Sequence, residues 1–179
     1  MKRVSLYLDV DGVICPFGPA GVSEWGSPWR YANAGLLSVA FAQELVDGLN
    51  GLATLDGLRC VWLTSWEDLA PEYLCPSIGL NAADWPYLTA AGAGAGAGGV
   101  LGEAHGEGWW KLRAIQDDMD RYGPDAVVWI DDQLRYEVEA QAWSRILGRR
   151  ILLVSPDPRR GISPAELGAV SSFLEQPVF

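Results

Sequence analysis

Two aspartates follow an apolar segment near the start of the chain, in the sequence LYLDVDGVICP at residues 6 to 16. Asp9 and Asp11 are separated by Val10 alone, so an extended backbone would point both carboxylates to the same side. An ionised carboxylate that is taken out of water is costly unless a partner compensates its charge. The pair therefore predicts a compensating partner close to the end of this segment.

Polar side chains also end the later apolar segments. Thr64 and Ser65 follow RCVWL, and Asp131 and Asp132 follow AVVWI. In an open parallel sheet, ligands bind beyond the carboxyl ends of the strands. Lys111 lies in the first turn of a predicted helix that begins at the same edge, where a lysine is unfavourable for the helix dipole. We expect Lys111 to pair with the carboxylates there.

Four carboxylates and one ammonium at one edge carry a net charge of about −3, and their mutual repulsion favours protonation or the binding of a cation. Mg²⁺ accepts one or two carboxylates, keeps several waters and shares oxygens with a phosphate. The sequence therefore predicts a Mg²⁺ site that handles a phosphoryl group.

Alternating strands and helices must position these residues. Nearly continuous apolar segments, typical of a parallel sheet covered on both faces, predict strands at residues 4–9, 59–64, 126–131 and 150–154. Apolar residues at helical spacing, and the capping sequence SPAE before the last helix, predict helices at residues 37–52, 109–121, 136–147 and 163–174. This alternation favours a doubly wound α/β sheet.

Two long stretches, residues 12–35 and 76–108, fall outside this alternation and are predicted to be irregular insertions. The second contains AAGAGAGAGG at residues 90 to 99, which predicts a flexible surface loop because it has few side chains to bury. Its glycines match the pattern GxGxxG, but neither a strand nor a helix flanks them, so a dinucleotide site is not expected. We expect one domain over residues 1–179.

The overall composition excludes several classes of protein. The net charge of −10 disfavours binding to duplex nucleic acid or anionic membranes. No apolar stretch reaches about eighteen residues, so neither a membrane span nor a secretory leader is expected. A single histidine, His105, excludes a zinc site with several imidazoles. The cysteines at positions 15, 60 and 75 lack a CxxC spacing, which favours buried thiols in a reducing, cytoplasmic compartment.

In chain order, YLDVDGV, WLTSW, Lys111 and WIDDQ resemble the four motifs of the haloacid dehalogenase (HAD) superfamily of phosphohydrolases. The resemblance covers the core from residue 4 to about residue 154. It implies a HAD-like Rossmannoid α/β fold, in which helices flank a central parallel sheet. The insertion after Asp11 is too short for a large helical cap, so the resemblance implies a minimal cap. It also implies a Mg²⁺-dependent phosphatase that hydrolyses phosphomonoesters through an aspartyl-phosphate.

The resemblance implies a role for each motif residue. Asp9 would attack phosphorus, and Asp11 would protonate the leaving group and then activate water. Thr64 would hydrogen-bond the transferring phosphoryl oxygens, and Lys111 would neutralise charge on them and on Asp9.

The implied metal ligands are carboxylates and one carbonyl. Asp131 would bind Mg²⁺ together with Asp9 and the backbone carbonyl of Asp11. Asp132 would hold a metal-bound water or orient Lys111, and it is also a candidate helix N-cap.

Further residues are candidates for binding the substrate. Gly12 resembles the start of the family's flap, a turn that swings over the site, and Ser65 competes with Thr64 as the donor to the phosphate. Trp29 and Trp66 are candidates for stacking on a base or sugar ring of a nucleotide-like leaving group. The expected partner is a small phosphorylated substrate, although minimal caps in the family also leave nucleic-acid ends and phosphoproteins open.

Less specific interpretations also fit these residues. The Asp11–Gly12 dipeptide also fits a simple turn, and Arg159 and Arg160 either contact a second anionic group or are solvated loop charges. A receiver domain also uses aspartates, a threonine and a lysine, but in a different order along the chain. A HAD-like binding module without catalytic activity is the other alternative, although no motif residue is missing.

Overall fold

The computed structural model of the chain describes residues 2–92 and 109–176. Within these ranges, the four predicted strands are present, and a hairpin of two further strands lies between the first of them and the first helix. The strands are β1 (Val4–Leu8), β2 (Arg30–Ala34), β3 (Leu37–Phe41), β4 (Leu58–Trp62), β5 (Ala126–Ile130) and β6 (Ile151–Val154). The α-helices are α1 (Gln43–Leu52), α2 (Cys75–Ile78), α3 (Trp110–Tyr122), α4 (Val138–Leu147) and α5 (Pro164–Glu175). Short helical turns are a π-helix at Ala70–Leu74 and 3-10 helices at Asp132–Arg135 and Gly148–Arg150.

The central sheet has four parallel strands in the order β4-β1-β5-β6. Every residue of the two inner strands, β1 and β5, is buried. Strands covered on both faces are almost entirely apolar, which explains why these segments do not alternate between apolar and polar residues. The predicted α/β fold with a central parallel sheet is confirmed.

The helices cover the sheet on both faces. Leu45 of α1 and Phe173 of α5 belong to one buried cluster, and Leu112 of α3 and Ala140 of α4 belong to a second. Helix α5 begins with the predicted capping box, in which the Ser163 hydroxyl accepts from the backbone N–H of Glu166. Helix α4 begins at residue 138 rather than at the predicted residue 136, because a 3-10 turn precedes it.

The prediction of a helix from residue 37 is wrong for its first turn. Residues 37–41 form strand β3, which pairs antiparallel with β2, and α1 begins only at Gln43. Leu37 and Phe41 are four residues apart, a spacing that fits one face of a strand as well as a helix. Gly35, with φ of +65°, lies in the tight turn between the two strands, where a residue with a Cβ would be strained.

The insertion at residues 12–35 was predicted to be irregular throughout. This prediction is wrong for the end of the insertion, which forms part of this hairpin. The Ser77 hydroxyl donates to the Asn33 carbonyl oxygen at 2.9 Å, and a Cβ on Gly35 would lie 3.3 Å from the Tyr73 ring. The hairpin therefore packs against the segment that contains the π-helix and α2.

The first part of this insertion is attached to the loop that follows β6. The backbone N–H of Phe17 donates to the Pro158 carbonyl oxygen, and the indole N–H of Trp25 donates to the Ile162 carbonyl oxygen. Arg160 forms an ion pair with Glu24 at 2.5 Å. The segment expected to swing over the site is thus held by backbone and side-chain bonds in this structure.

The insertion predicted at residues 76–108 is only partly described. Helix α2 covers its first residues, and Tyr87 forms an isolated bridge with Trp62 at the edge of β4. Most of the Ala/Gly repeat, its GxGxxG match and His105 lie outside the described residues. The three cysteines are buried and unpaired, as predicted.

Among the described residues, no helix combines the length and the apolar composition needed to cross a lipid bilayer.

Candidate active site

The register of the central sheet brings the predicted site residues to one edge. Leu8 pairs with Ile130 of β5 and with Trp62 of β4, so Asp9 lies beside Asp131, one residue beyond the last pair. The N–H of Asp9 donates to the Ile130 carbonyl oxygen at 3.1 Å. Thr64 lies two residues beyond Trp62 and is fully buried. The carboxyl ends of parallel strands thus gather side chains from three separate segments.

Helix α3 adds the ammonium group to this edge. The Nζ atom of Lys111 lies 2.7 Å from Oδ2 of Asp9 and 2.6 Å from Oδ2 of Asp131. Only 6% of Lys111 and none of Asp131 is exposed to solvent. The predicted pairing of Lys111 with carboxylates at the sheet edge is therefore what the structure shows.

Stacked tryptophans anchor the start of α3. The Trp109 ring stacks on the Trp129 ring of β5, with centroids 5.0 Å apart and an interplanar angle of 19°. The Lys111 ammonium lies 5.6 Å from the Trp109 centroid and 6.0 Å from that of Trp110. Trp109 therefore packs the helix onto the sheet, and its ring face against Trp129 is unavailable for stacking on a substrate ring.

A third carboxylate lies beside the ion pairs. One oxygen from each of Asp9, Asp131 and Asp132 lies within 4.8 Å of the others. Gly12 closes this side of the site, because a Cβ there would lie 2.8 Å from the carboxylate carbon of Asp132. Its φ of +70° also disfavours other residues, so both space and backbone conformation require glycine at this position.

Burial and repulsion raise the pKa values of two carboxyl groups in this cluster, Asp131 and Asp132. Burial, opposed by Lys111 and assisted by the charge of Asp9, raises the pKa of Asp131 to about 7. Burial and the charge of Asp9 also raise the pKa of Asp132. Burial lowers the pKa of Lys111, but the Asp9 and Asp131 carboxylates outweigh it, so this pKa lies above its usual range.

These residues fit a hard divalent cation. Three carboxylates lie close together and one ammonium pairs with two of them, which leaves an excess of negative charge in a mostly buried space. Oxygen ligands of this kind suit Mg²⁺, and a bound cation would relieve the repulsion that raises the carboxyl pKa values. Asp9, Asp131 and Asp132 are therefore the side chains that could hold a metal.

Asp11 has a different environment from the three clustered carboxylates. Its Oδ2 accepts from the indole N–H of Trp66 at 2.9 Å, and its side chain is not part of the cluster. Burial raises the pKa of Asp11, while the Trp66 hydrogen bond opposes this rise and the charge of Asp9 adds to it. A carboxyl with a raised pKa suits proton transfer.

The predicted substrate-binding residues have mixed positions. Ser65 is exposed, whereas Thr64 is buried and its Oγ1 accepts from the N–H of Trp66 at 3.3 Å. Trp66 is 6% exposed and donates to Asp11, so its indole has little surface for a substrate ring. Trp29 is half-buried against the core, and its indole N–H finds no partner among the described residues.

The predicted alternative that Asp132 caps the following helix is wrong. Asp131 is the N-cap of the 3-10 helix, and its Oδ1 accepts from the N–H of Gln133 at 2.9 Å. Its two oxygens thus contact the turn on one side and Lys111 on the other. This arrangement fixes the carboxylate at the end of β5.

The two arginines after β6 differ from each other. Arg160 pairs with Glu24 of the insertion. Arg159 is exposed, and its backbone N–H donates to Oδ1 of Asp157.

The contact between Trp66 and Asp11 was not foreseen from the sequence. The residues are 55 positions apart, and the contact depends on a turn after β4 that has no strong sequence signature. The only signal was that an aromatic residue follows Thr64 and Ser65 directly.

Comparison with known proteins agrees with the motif order. The profile of the HAD domain in Swiss Army Knife RNA repair proteins matches residues 5–167, a range that includes every residue of the candidate site. No curated protein and no solved structure matches the chain. The predicted superfamily is confirmed, and the chain belongs to the family of HAD domains in Swiss Army Knife RNA repair proteins.

Proposed function

We propose that this chain is a Mg²⁺-dependent phosphatase that hydrolyses a phosphomonoester through an aspartyl-phosphate on Asp9. The observation that carries the proposal is the Lys111 ammonium, which lies between Asp9 and Asp131 at 2.7 and 2.6 Å, beside the Asp132 carboxylate. Family membership supports hydrolase chemistry of the phosphatase type.

Asp9 is the proposed nucleophile. Its Oδ1 accepts from the N–H of Val10 at 2.8 Å and its Oδ2 accepts from Lys111, so both oxygens are held in place before substrate arrives. One oxygen forms the new bond to phosphorus, and the Lys111 ammonium neutralises charge on the transferring oxygens. Phosphoryl transfer requires mainly this positioning and charge neutralisation.

Asp9, Asp131 and Asp132, with the backbone carbonyl of Asp11, would hold Mg²⁺, which supplies positive charge next to the phosphoryl oxygens. The chain's own residues perform the proton transfers. Asp11 gives a proton to the leaving oxygen and later takes one from the attacking water. Thr64, at the end of β4, donates its hydroxyl hydrogen to a phosphoryl oxygen, a role for which exposed Ser65 is the competitor.

We propose that the phosphate is at the end of an RNA strand or on a nucleotide. The description of the family, which names RNA repair proteins, supports this choice. The net charge of −10 opposes extensive contact with a duplex backbone, so recognition is expected to be limited to the terminal nucleotides.

The test is phosphate release from a panel of substrates with Mg²⁺ or with a chelator. The panel contains RNA oligonucleotides with a 3′-phosphate or a 5′-phosphate, free nucleotides and simple sugar phosphates. Asp9→Asn should abolish turnover, and Asp11→Asn should lower it by about 10² to 10⁴. Asp117→Asn, an exposed aspartate on α3, is the matched control and should retain full activity.

Each alternative class predicts a different result. Stable phosphate uptake without repeated turnover would indicate a receiver-type phosphoacceptor. The absence of Mg²⁺-dependent release from every substrate would indicate a binding module. Release from simple sugar phosphates but not from RNA or nucleotides would retain the chemistry and refute the proposed substrate.

A further inference from the structure

The indole of Trp66 touches the carboxyl group that the proposed function uses for proton transfer. Its N–H donates to Oδ2 of Asp11 at 2.9 Å, and among the described residues it is the one side-chain donor to this carboxyl group. Asp11 is otherwise half-exposed and lies outside the carboxylate cluster. Without this bond, the Asp11 side chain would be free to adopt other rotamers.

Trp66 is itself held in one orientation. It is 6% exposed within the larger buried cluster, and its backbone N–H donates to Oγ1 of Thr64. The next residue, Glu67, has φ of +47° and is the only non-glycine residue with positive φ in the described ranges. Its N–H donates to the Thr64 carbonyl oxygen at 3.2 Å, which closes the turn. Such a strained backbone position persists only where its surroundings enforce it, and functional sites often contain one.

We propose that Trp66 is a positioning residue that orients Asp11 as the acid for the leaving group, an inference that rests on the proposed function. An N–H donor favours the carbonyl oxygen of a protonated carboxyl group over its hydroxyl oxygen. The bond to Oδ2 therefore places the transferable proton on Oδ1. The indole determines both the rotamer of Asp11 and the oxygen that carries the proton.

In the first step, one bond to phosphorus forms and one bond to phosphorus breaks. An Asp9 oxygen forms the bond to phosphorus, and the bond from phosphorus to the leaving oxygen breaks. The leaving oxygen keeps the electron pair and takes the proton from Oδ1 of Asp11. In the second step, a water proton goes to Asp11, the water oxygen bonds to phosphorus, and Asp9 is released as a carboxylate.

Leaving groups that need a proton provide the test. The value of kcat/KM reports the step that forms the aspartyl-phosphate, so it is compared between an activated aryl phosphate and alkyl phosphates such as ribose phosphates. Trp66→Phe keeps a large ring and removes the N–H. It should lower kcat/KM by about 10- to 100-fold for alkyl phosphates and by less than about threefold for the aryl phosphate. Asp11→Asn should show the same difference between the two classes of ester, with larger losses.

The matched control is Trp62→Phe, which removes a buried indole N–H that donates to the Ala82 carbonyl oxygen at 3.1 Å, away from the acid. Any loss of activity in this variant should be equal for both classes of ester. An equal loss for both classes in Trp66→Phe would overturn the proposal while leaving the phosphatase function intact. No turnover by the wild-type protein would instead refute the proposed function, and the inference with it.

A second measurement does not depend on turnover or on the folding of Trp66→Phe. Deuterium exchange of the Trp66 indole N–H, followed by NMR, should become at least about tenfold faster in Asp11→Ala, because its acceptor is gone. The Trp62 indole, whose acceptor is unchanged, should exchange at the wild-type rate. An unchanged Trp66 rate in Asp11→Ala would show that the indole does not hold Asp11, and the proposal would fail.

Discussion

Replacing Lys111 by methionine should destabilise the metal-free protein by about 3 to 5 kcal/mol, the usual cost of removing one partner of a buried ion pair. Methionine has a similar length but no charge. The ammonium lies 2.7 Å from Asp9 and 2.6 Å from Asp131, and only 6% of Lys111 is exposed. The variant therefore leaves buried carboxylates without a counter-charge.

The magnitude follows from opposing terms. At an effective dielectric constant of about 20, each pair at this separation attracts by roughly 6 kcal/mol, and the burial of the ammonium offsets several kcal/mol of the total. Protonation limits the loss: Asp131 already takes up a proton near pH 7, and holding a second carboxyl with an ordinary pKa of about 3.9 in its protonated form at that pH costs roughly 4 kcal/mol. The electrostatic balance and the cost of protonation therefore give similar values for the loss of stability.

The loss should also depend on pH. Burial raises the pKa of Asp131 to about 7 in the wild-type protein, so the folded state keeps this proton to higher pH than the unfolded state does. The free energy of unfolding therefore falls as pH rises from about 4 to about 7 and then levels off. Without Lys111, which opposes the rise, the pKa of Asp131 rises further, and the fall should continue above about pH 7 by up to roughly 1.4 kcal/mol per pH unit.

Urea denaturation with a chelator, at about pH 6, 7 and 8, measures both effects. Lys2→Met is the matched control, because among the described residues Lys2 donates to two backbone carbonyl oxygens at the end of α5, each at 3.2 Å, and lies over the Phe173 ring rather than beside a carboxylate. Its loss should be below about 1.5 kcal/mol and independent of pH. The reasoning is refuted if Lys111→Met unfolds at the wild-type urea midpoint at about pH 8, or if the difference between the two proteins does not grow with pH.

Mg²⁺ should stabilise the wild-type protein by about 2.7 kcal/mol when its concentration is a hundred times its dissociation constant. The stabilisation should be weaker below about pH 7, because Asp131 takes up a proton there. A melting temperature that Mg²⁺ does not change would contradict the metal site. Asp118→Ala should lower the free energy of unfolding by about 3 to 5 kcal/mol, because Asp118 accepts from a buried tyrosine hydroxyl at 2.7 Å and from an arginine at 2.6 Å. Calorimetry of this variant and of Asp117→Ala checks the prediction. Equal losses of stability in the two variants would contradict it. Gly161→Ala should be less stable than Gly21→Ala by about 1 to 3 kcal/mol. Both glycines have positive φ, but only at Gly161 would a Cβ lie 2.5 Å from a backbone carbonyl oxygen. Equal melting temperatures of the two variants would refute the clash.

The sequence predicted the central sheet and the edge at which its site lies. Apolar segments without alternation indicated covered parallel strands, and the rule that ligands bind beyond strand ends selected Asp9, Thr64 and Asp131. Lys111 was selected because a lysine in the first turn of a helix is unfavourable unless an anion is near. The structure brings these residues together as the spacing indicated.

Other predictions failed because a pattern was ambiguous. Leu37 and Phe41 fit a helix and a strand equally well, and pairing with β2 decided for the strand. Either Asp131 or Asp132 could have capped the turn after β5, and the structure assigns the cap to Asp131.

The sequence by itself determined which side chains end the strands, because strand ends follow from local runs of apolar residues that each need burial. Only the tertiary structure decided which of those side chains touch. The bond from Trp66 to Asp11 and the approach of Gly12 to Asp132 depend on how distant turns pack. Such contacts come from close packing in three dimensions, for which a linear sequence carries no periodic signal.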